Sequence, residues 1–384
     1  MDLEEPQLPE AGEIIGSGYR LERVIGRGGM GVVVLATHVE REQEYAIKLL
    51  IPEALDLPEL VLRFEREARA AMRIESPHVP KVFEVGRIDD RRTFMVMELL
   101  EGEDLRALLK RDDTPMPVEE AVRYLLEAMH AIGEAHAKGI VHRDLKPSNL
   151  FVAERADGDK IIKVLDFGIS KLQDERLALT KTLDVIGTPF YMAPEQVIAA
   201  KYVDERADVW SLGVILYELL TARKPFEAPT MAGMVSLVRR ASPTPLREIV
   251  AEIPEELERA VLRCLRAERD DRFDDVGELA TALAPFTADG ARLAEGVVAA
   301  RDKANHPRAD LLAESTASLA KNAVTKGGAK KADDTTEPMP GSSTTMPVVT
   351  SSVAPAPRRA WGVWVVIALV VLGFGYLIQQ GCAQ

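Results

Sequence analysis

The sequence predicts an α+β protein of two lobes: a small, mainly antiparallel β lobe with one helix, then a larger helical lobe, then a C-terminal transmembrane helix. Three observations predict it. From Tyr19, the stretch YRLERVIGRGGMGVVVLATHVEREQEYAIKLL alternates Val-, Ile- and Tyr-rich runs with glycine or charge, as strand, glycine turn, strand, polar turn and strand. From Val118 onward, apolar residues recur at helical spacing. Near the end, WGVWVVIALVVLGFGYLI, Trp361 to Ile378, runs for 18 residues without a charge. At ~1.5 Å per residue such a helix just crosses a bilayer core of ~30 Å.

Bulk properties bound the function. A chain of 384 residues is longer than one compact core sustains, so two lobes with appended segments are expected. The formal net charge of -13 argues against a general nucleic-acid binder, because phosphate backbones reward clustered cations. Cys264 and Cys382 are too few and too far apart for a disulfide framework or a zinc site. The acidic, proline-bearing start MDLEEPQLPE lacks an apolar core, so no cleaved secretory signal is expected.

In chain order, residues 1–18 carry five acids and no lysine or arginine, which predicts a flexible acidic leader with order beginning near Tyr19. Gly26, Gly28 and Gly31 then fit G-x-G-x-x-G, followed by Val33. Alone, this pattern also opens dinucleotide-binding folds, but those require a helix next, and the β-branched residues 32–34 continue as a strand. Lys48 follows on an apolar strand, 17 residues beyond Gly31. The pattern PELVLRFEREARAAMRI places Val61, Phe64, Ala68, Ala71 and Met72 on one helical face, with Glu67 at its border. Glu67 is open to two readings, a partner for Lys48 or a solvated helix charge. VPKVFEVGRIDDRRTFMVMELLEG predicts two antiparallel strands turning at Asp89-Asp90.

The helix VEEAVRYLLEAMHAIGEAHAK ends at Gly139, which offers a left-handed stop. It delivers the chain to IVHRDLKPSNL, Ile140 to Leu150, where Asp144, Lys146 and Asn149 crowd together between apolar runs. His142 has no nucleophile beside it in sequence and is expected to be a packed imidazole. IIKVLDFGIS predicts a strand ending at Asp166. The segment Asp204 to Ala222 is apolar nearly all round from Val209, as a buried central helix is, so Asp208 at its start must be hydrogen-bonded. Residues 286–320 are alanine-rich and partly helical without an assignable role, and residues 321–360 form a disordered Ser/Thr/Pro-rich linker with a coil span of about 35 Å. Trp361, Trp364 and Tyr376 suit the interfaces of the predicted span, and Arg358-Arg359 put positive charge on its N-terminal side, so the main body should face the cytoplasm. Residues 379–384 form a short tail.

The run His142-Arg143-Asp144-Leu145-Lys146-Pro147-Ser148-Asn149 resembles the catalytic loop of protein kinases, and Lys146-Pro147 resembles the serine/threonine type. The wording GRGGMG, and the order of kinase, tether and single helix, resemble the bacterial Hanks-type serine/threonine kinases. The resemblance covers Tyr19 to Pro285.

This resemblance implies a two-lobed protein-kinase fold transferring the γ-phosphate of ATP, with Mg2+ and Mn2+ as a possible substitute, to Ser/Thr hydroxyls of protein substrates. Asp144 would orient the hydroxyl, Lys146 would face the γ-phosphate, and Asn149 and Asp166 would hold the metal. Lys48, aimed by Glu67, would reach the α- and β-phosphates. Ile25, Gly26, Arg27, Gly28, Gly29, Met30, Gly31, Val33 and Ala46 would surround the nucleotide. Met97 would back the adenine pocket, and Glu98 to Leu100 would form the hinge that bonds the base. Phosphorylation of Thr180 or Thr182 would supply Arg143 with an anion and order the activation segment, although both also read as solvated loop threonines. Thr188 would seat the substrate. Asp208 would hold the catalytic-loop backbone, and Arg272 would pair with Glu195. Expected partners are protein substrates, the lipid bilayer and a second kinase copy for trans-autophosphorylation, with no nucleic acid. The expected location is the cell (inner) membrane, in a single pass. A silent scaffold and a small-molecule kinase are the rival readings; the complete residue set argues against the first, and Ala193-Pro194-Glu195 with GTPFY against the second.

Overall fold

The structure, a computed structural model, describes residues 10–27, 31–51, 57–88, 92–155, 157–167, 189–198 and 203–302. Its N-terminal lobe is a six-stranded antiparallel sheet of β1 (Ile14–Ile15), β2 (Tyr19–Arg27), β3 (Gly31–His38), β4 (Glu44–Leu50), β5 (Val82–Arg87) and β6 (Thr93–Met97), in the order β1-β2-β3-β4-β6-β5. Side chains alternate across a strand, so β4 sends Tyr45, Ile47 and Leu49 into a core with Leu21, Val34, Phe94 and Val96. The other face of the sheet, which carries Leu50 and Met95, packs against Phe64 and Ala68 of α1 (Pro58–Arg73). By the same alternation Ala46 and Lys48 share the face of Leu50. Register places Lys48 opposite Val33 on one side and Met95 on the other.

Two expectations need correction here. The acidic leader is shorter than residues 1–18, because Ile14 and Ile15 pair with Arg20 and Tyr19, and Ile15 is buried. Gly12 N donates to Leu21 O and Leu21 N to Glu13 O, so the sheet takes in this stretch despite its acids. Charge counting averaged over the segment and hid an apolar pair long enough to add an edge strand. Met72, placed on the apolar face of α1 by spacing, is 55% exposed. Phe64 and Ala68 fill the contact with the sheet, and Met72 lies on the helix's open side.

The C-terminal lobe begins with β7 (Gly102–Asp104) and α2 (Leu105–Asp112), where the Asp104 side chain caps the helix by accepting from Ala107 N at 2.9 Å. Such a cap contributes about 1 kcal/mol. Helix α3 (Val118–Ala137) is buried along most of its length and stops where Gly139 takes φ +72°. The chain then enters the loop to β8 (Leu150–Glu154), which pairs with β7 and with β9 (Lys160–Val164) in a three-stranded antiparallel sheet. Beyond α4 (Pro194–Ile198), helix α5 (Arg206–Thr221) is buried nearly all round, as its sequence predicts.

Helices α6 (Met231–Arg240), α7 (Glu255–Cys264), α8 (Val276–Leu283) and α9 (Gly290–Asp302) complete the lobe. Helix α7 approaches α5 so closely that a Cβ on Gly213 would lie 2.4 Å from the Cys264 Cβ, which is why a glycine stands there. Helix α9 belongs to the same packed body, so packing does not end at Pro285. Val297 is fully buried, a Cβ on Gly133 of α3 would sit 3.3 Å from Val297 O, and Arg301 pairs with Asp275 at 3.1 Å. Among the described residues no helix is long and apolar enough to cross a membrane, and the charge-free run 361–378 lies outside them.

Candidate active site

Strand alternation and helix periodicity bring two charges together under the sheet. Lys48 on β4 donates to Glu67 of α1 at 2.5 Å and to Asp166 at 2.7 Å. The Lys48 and Glu67 side chains are 13% and 8% exposed, whereas that of Asp166 is 54% exposed, opening from deep between the lobes onto the cleft. A buried ion pair adds little stability over apolar side chains of the same size, while removing one partner costs about 3–5 kcal/mol. The consequence of this triad is therefore orientation: the ammonium is held at one point in the cleft.

Burial is the largest single influence on all three groups and pushes each toward neutrality. On Lys48 the charges and hydrogen bonds of Asp166 and Glu67 outweigh it, leaving the ammonium above its ordinary pKa. On Asp166 the Lys48 charge outweighs it and holds the carboxyl near 2. On Glu67 burial prevails over Lys48 and the pKa is raised. Asp166 is thus firmly ionised, and Glu67 is the carboxylate more easily neutralised.

The loop after α3 supplies the second group of side chains. Asp144 is buried, its Oδ2 accepts from Lys146 Nζ at 3.0 Å, and its backbone carbonyl accepts from Asn149 Nδ2 at 2.9 Å. That bond fixes the amide of Asn149 so that its oxygen, the atom a hard cation takes, points away from Asp144 O. Arg143 and Asp166 are in the left-handed backbone region, with φ of 64° and 52°. Such conformations cost about 1–2 kcal/mol each for residues bearing a Cβ and persist where the surroundings over-determine them.

Those surroundings are visible. Asp208, fully buried at the start of α5, accepts from His142 N and Arg143 N, both at 2.8 Å, and from His136 Nε2 at 2.7 Å. Burial alone would raise its pKa, and the His136 hydrogen bond with the neighbouring charges lowers it below the ordinary aspartate value. His142 is fully buried, accepts from Asp144 N through Nδ1 and reaches Leu165 O through Nε2 at 3.0 Å, so the ring is a neutral strut between the two segments. Burial pushes its pKa down.

Farther out, Arg272 is fully buried and donates through all five of its N–H groups: to Glu195 Oε1 and Oε2, each at 2.8 Å, and to the carbonyls of Arg266, Arg206 and Ala267. Arg143 is half-buried, with its Nη2 at 3.5 Å from Val203 O and its Nε unpartnered among the described residues. Burial lowers its pKa.

The remaining candidates fall in place by strand register. Gly26 pairs with Val33 and Arg27 with Val32, so β2 and β3 form the hairpin expected from the glycines. Ile25 is 37% exposed, and Ala46 lies opposite Met97 in the sheet. Gly31 lies so close to β4 that a Cβ there would be 2.4 Å from Leu49 O. Leu100 lies in the segment after β6, and Glu98 N donates to Lys81 O at 2.9 Å, which takes that amide out of play for a ligand. Gly28, Gly29, Met30, Thr180, Thr182 and Thr188 lie outside the described residues. Sequence reasoning missed His136, Gln196 and Lys163. Gln196 donates to Arg143 O at 2.9 Å, and Lys163 bonds Glu98. The available signal was a polar residue inside an apolar run, as in KIIKV.

A nucleotide with a divalent cation fits what is present. The open Asp166 carboxylate and the oriented Asn149 amide are hard oxygen donors, and among the described residues no cluster of three or more His, Cys, Asp or Glu forms a closed metal cage. A cation sharing its remaining positions with phosphates and water needs only such a partial set. A separate cavity of about 670 Å3 lies away from these residues, between α3, α9 and the β8–β9 turn. Its Arg123 and Arg292 are paired with Glu127 and Asp289.

The protein kinase domain family matches residues 19–281, well over half of the sequence. The chain belongs to the protein kinase family. It is similar to the serine/threonine-protein kinase Pkn1 of Myxococcus xanthus, 38% identical over 289 residues, which cover 75% of this chain and 41% of that protein. It is also similar to the serine/threonine-protein kinases PknA of Corynebacterium glutamicum, 37% identical over 276 residues, 71% of this chain and 56% of the relative. This chain thus spans about half the length of such relatives. Among solved structures, the PknI kinase domain of Mycobacterium tuberculosis aligns with a TM-score of 0.56 and 26% identity, covering 73% of this chain and all of that one. The two-lobed arrangement described above is the kinase fold.

Proposed function

We propose that this kinase is a serine/threonine protein kinase that transfers the γ-phosphate of Mg-ATP to protein hydroxyls. The observation that carries the reading is Lys48 bonded at once to Glu67 and Asp166, with Asp144, Lys146 and Asn149 on the adjoining loop. Mg-ATP supplies the transferable phosphoryl group and neutralises phosphate charge. Phosphoryl transfer then asks the protein mainly for positioning and electrostatics.

Lys48, held by Glu67, presents a fixed positive charge to phosphate oxygens. Asp166 and Asn149 present hard oxygens to a cation. Asp144 orients the acceptor hydroxyl and receives its proton, and Lys146, bonded to the same carboxylate, offsets negative charge as the proton arrives. Asp208 and His142 keep these groups in register through the loop backbone. The test is transfer of labelled γ-phosphate to a mixed protein substrate, followed by phosphoamino-acid analysis. Phosphoserine and phosphothreonine are expected, and absence of any transfer by the phosphorylated full chain would refute the reading in favour of a silent scaffold.

The finer reading adds regulation and place. Autophosphorylation of Thr180 or Thr182 gives the half-buried Arg143 an anion, ordering the segment and raising turnover. Turnover unchanged by Thr180→Ala/Thr182→Ala after phosphatase treatment would contradict it. The span 361–378 anchors the chain in the cell membrane with the kinase facing the cytoplasm. Carbonate-resistant membrane association that survives deletion of residues 361–378 would refute the anchor. Autophosphorylation through a transient pair of copies predicts a rate per molecule that rises with concentration, and a concentration-independent rate would exclude it.

A further inference from the structure

Three residues before Asp166, β9 carries a lysine inside an apolar strand. Lys163 is buried, and its ammonium donates to both carboxylate oxygens of Glu98, at 3.0 and 2.8 Å. Glu98 opens the segment that leaves β6 and joins the lobes. The same carboxylate accepts from Lys81 N at 3.1 Å, and Glu98 N donates to Lys81 O. One side chain is therefore gripped from the N-terminal lobe by the lead-in to β5 and from the C-terminal lobe by β9.

A second tie runs beside it. Val164 N donates to His78 O at 2.8 Å, and His78 Nδ1 lies 3.0 Å from Ile162 O. A carbonyl only accepts, so Nδ1 carries the proton, and burial keeps the ring neutral by pushing its pKa down to about 4. The segment between α1 and β5 is thus hydrogen-bonded to β9, the strand that ends two residues before Asp166.

These contacts give Glu98 a role beyond its main chain. The segment after β6 is where a base would be bonded, and two residues beyond β9 stands Asp166, the carboxylate that would meet the metal at the other end of the same ligand. We propose that Lys163 is a positioning residue which, through Glu98, fixes the spacing between the interlobe segment and Asp166 so that both ends of one nucleotide are engaged together. The proposal rests on the reading of the cleft as a Mg-nucleotide site. Its geometric content, the clasp itself, does not. A lysine serving only to fill space would lower thermal stability without coupling the two ends.

The experiment uses the full chain and its variants Lys163→Met and Lys163→Arg. Methionine keeps the stem and removes the charge, whereas arginine keeps a donor that reaches the carboxylate. For Lys163→Met the KM for Mg-ATP is expected to rise about fivefold, with saturated turnover within about twofold of wild type. Adenosine, which has no phosphate to reach the metal, should bind within about twofold of wild type. Lys163→Arg should recover most of the loss. In the nucleotide-free protein, amide exchange at Glu98 and Val164 should accelerate in Lys163→Met.

Glu98→Gln keeps an acceptor for both donors but drops the charge, so it should shift the KM in the same direction by a smaller factor; it serves if the methionine variant does not fold. Wild-type KM and exchange rates in Lys163→Met would overturn the proposal, as would equal losses of adenosine and Mg-ATP affinity. If wild type itself fails to bind Mg-ATP, the reading of the cleft falls, and the exchange measurement still judges the clasp.

Discussion

Lys48 and Asp166, 118 residues apart in sequence, meet at 2.7 Å between the two lobes. No local rule of secondary structure joins a mid-strand lysine to the residue that follows another sheet's last strand. The contact exists because β4 turns Lys48 onto the face opposite the Ile47 core while β9 ends at the same level. A charge held in this way serves a ligand's phosphates better than it serves stability.

Lys48→Met should leave the fold in place and lower phosphoryl transfer by about 100-fold or more, since one preorganised charge at a reacting group contributes on that scale. Steady-state kinetics with a circular-dichroism control checks this. Glu67→Gln should be milder in turnover. Because the Glu67 pKa is raised, wild type should lose activity on the acid side at a higher pH than an ordinary glutamate allows, and Glu67→Gln should lack that limb.

Asp208→Asn should slow turnover about 10-fold or more while the helical signal is retained. The carboxylate accepts from His142 N, Arg143 N and His136. An amide offers one acceptor oxygen and turns an N–H toward a donor, leaving a buried group unpaired at a cost of about 1–3 kcal/mol. Kinetics combined with a melting curve separates the loss of loop geometry from loss of fold.

Arg272→Lys should lower the melting temperature clearly, although the charge is kept. Arginine satisfies five acceptors here, and an ammonium has three donors without the planar fork that meets Glu195 at two points. Breaking a buried pair costs about 3–5 kcal/mol when a partner is removed outright, and lysine should recover only part of that. Calorimetry of both Arg272→Lys and Arg272→Ala tests the ranking.

His78 predicts a pH-dependent stability. Burial lowers its pKa from 6.5 to about 4 in the folded protein. The unfolded chain then binds a proton that the folded one refuses, so this contribution is complete above pH 6.5 and is lost as pH falls toward 4. Glu67 works in the opposite sense: with its folded pKa raised, its contribution is present at low pH and fades as pH rises through the raised value. The two overlap, so the informative quantity is the difference between wild type and His78→Asn. Stability measured from pH 7 to pH 4 should fall less steeply in the variant, and parallel curves would contradict the assignment.

Much of the site was legible in the chain because kinase chemistry concentrates its polar groups in short runs. Asp144, Lys146 and Asn149 are neighbours in sequence, and Asp166 closely follows a recognisable strand, which ends at Val164 rather than at Asp166 as expected. The Lys48–Glu67 pair was legible as a possibility, since one lies on a strand and the other beside an apolar helical face, but only packing decides which helix charge turns inward. Lys163 and His136 were not legible. Each is a polar residue within an apolar run, and its partner, Glu98 or Asp208, lies 65 or 72 residues away. The edge strand at Ile14–Ile15 escaped for a related reason, since composition over a window is insensitive to one buried isoleucine, Ile15, beside an exposed one; helix within 286–320 was expected, but not that Gly290–Asp302 packs into the body through small residues such as Ala294 and Ala300.

In the proposed function, side chains from both lobes act together on one nucleotide and Asp144 serves the transfer step rather than binding. This is tested most directly by comparing wild type with Asp144→Asn for Mg-ATP affinity and for γ-phosphate transfer in the same preparations. Affinity within about threefold and transfer reduced by about 100-fold or more are expected. Undiminished transfer by Asp144→Asn, or a matching collapse of nucleotide affinity, would contradict it.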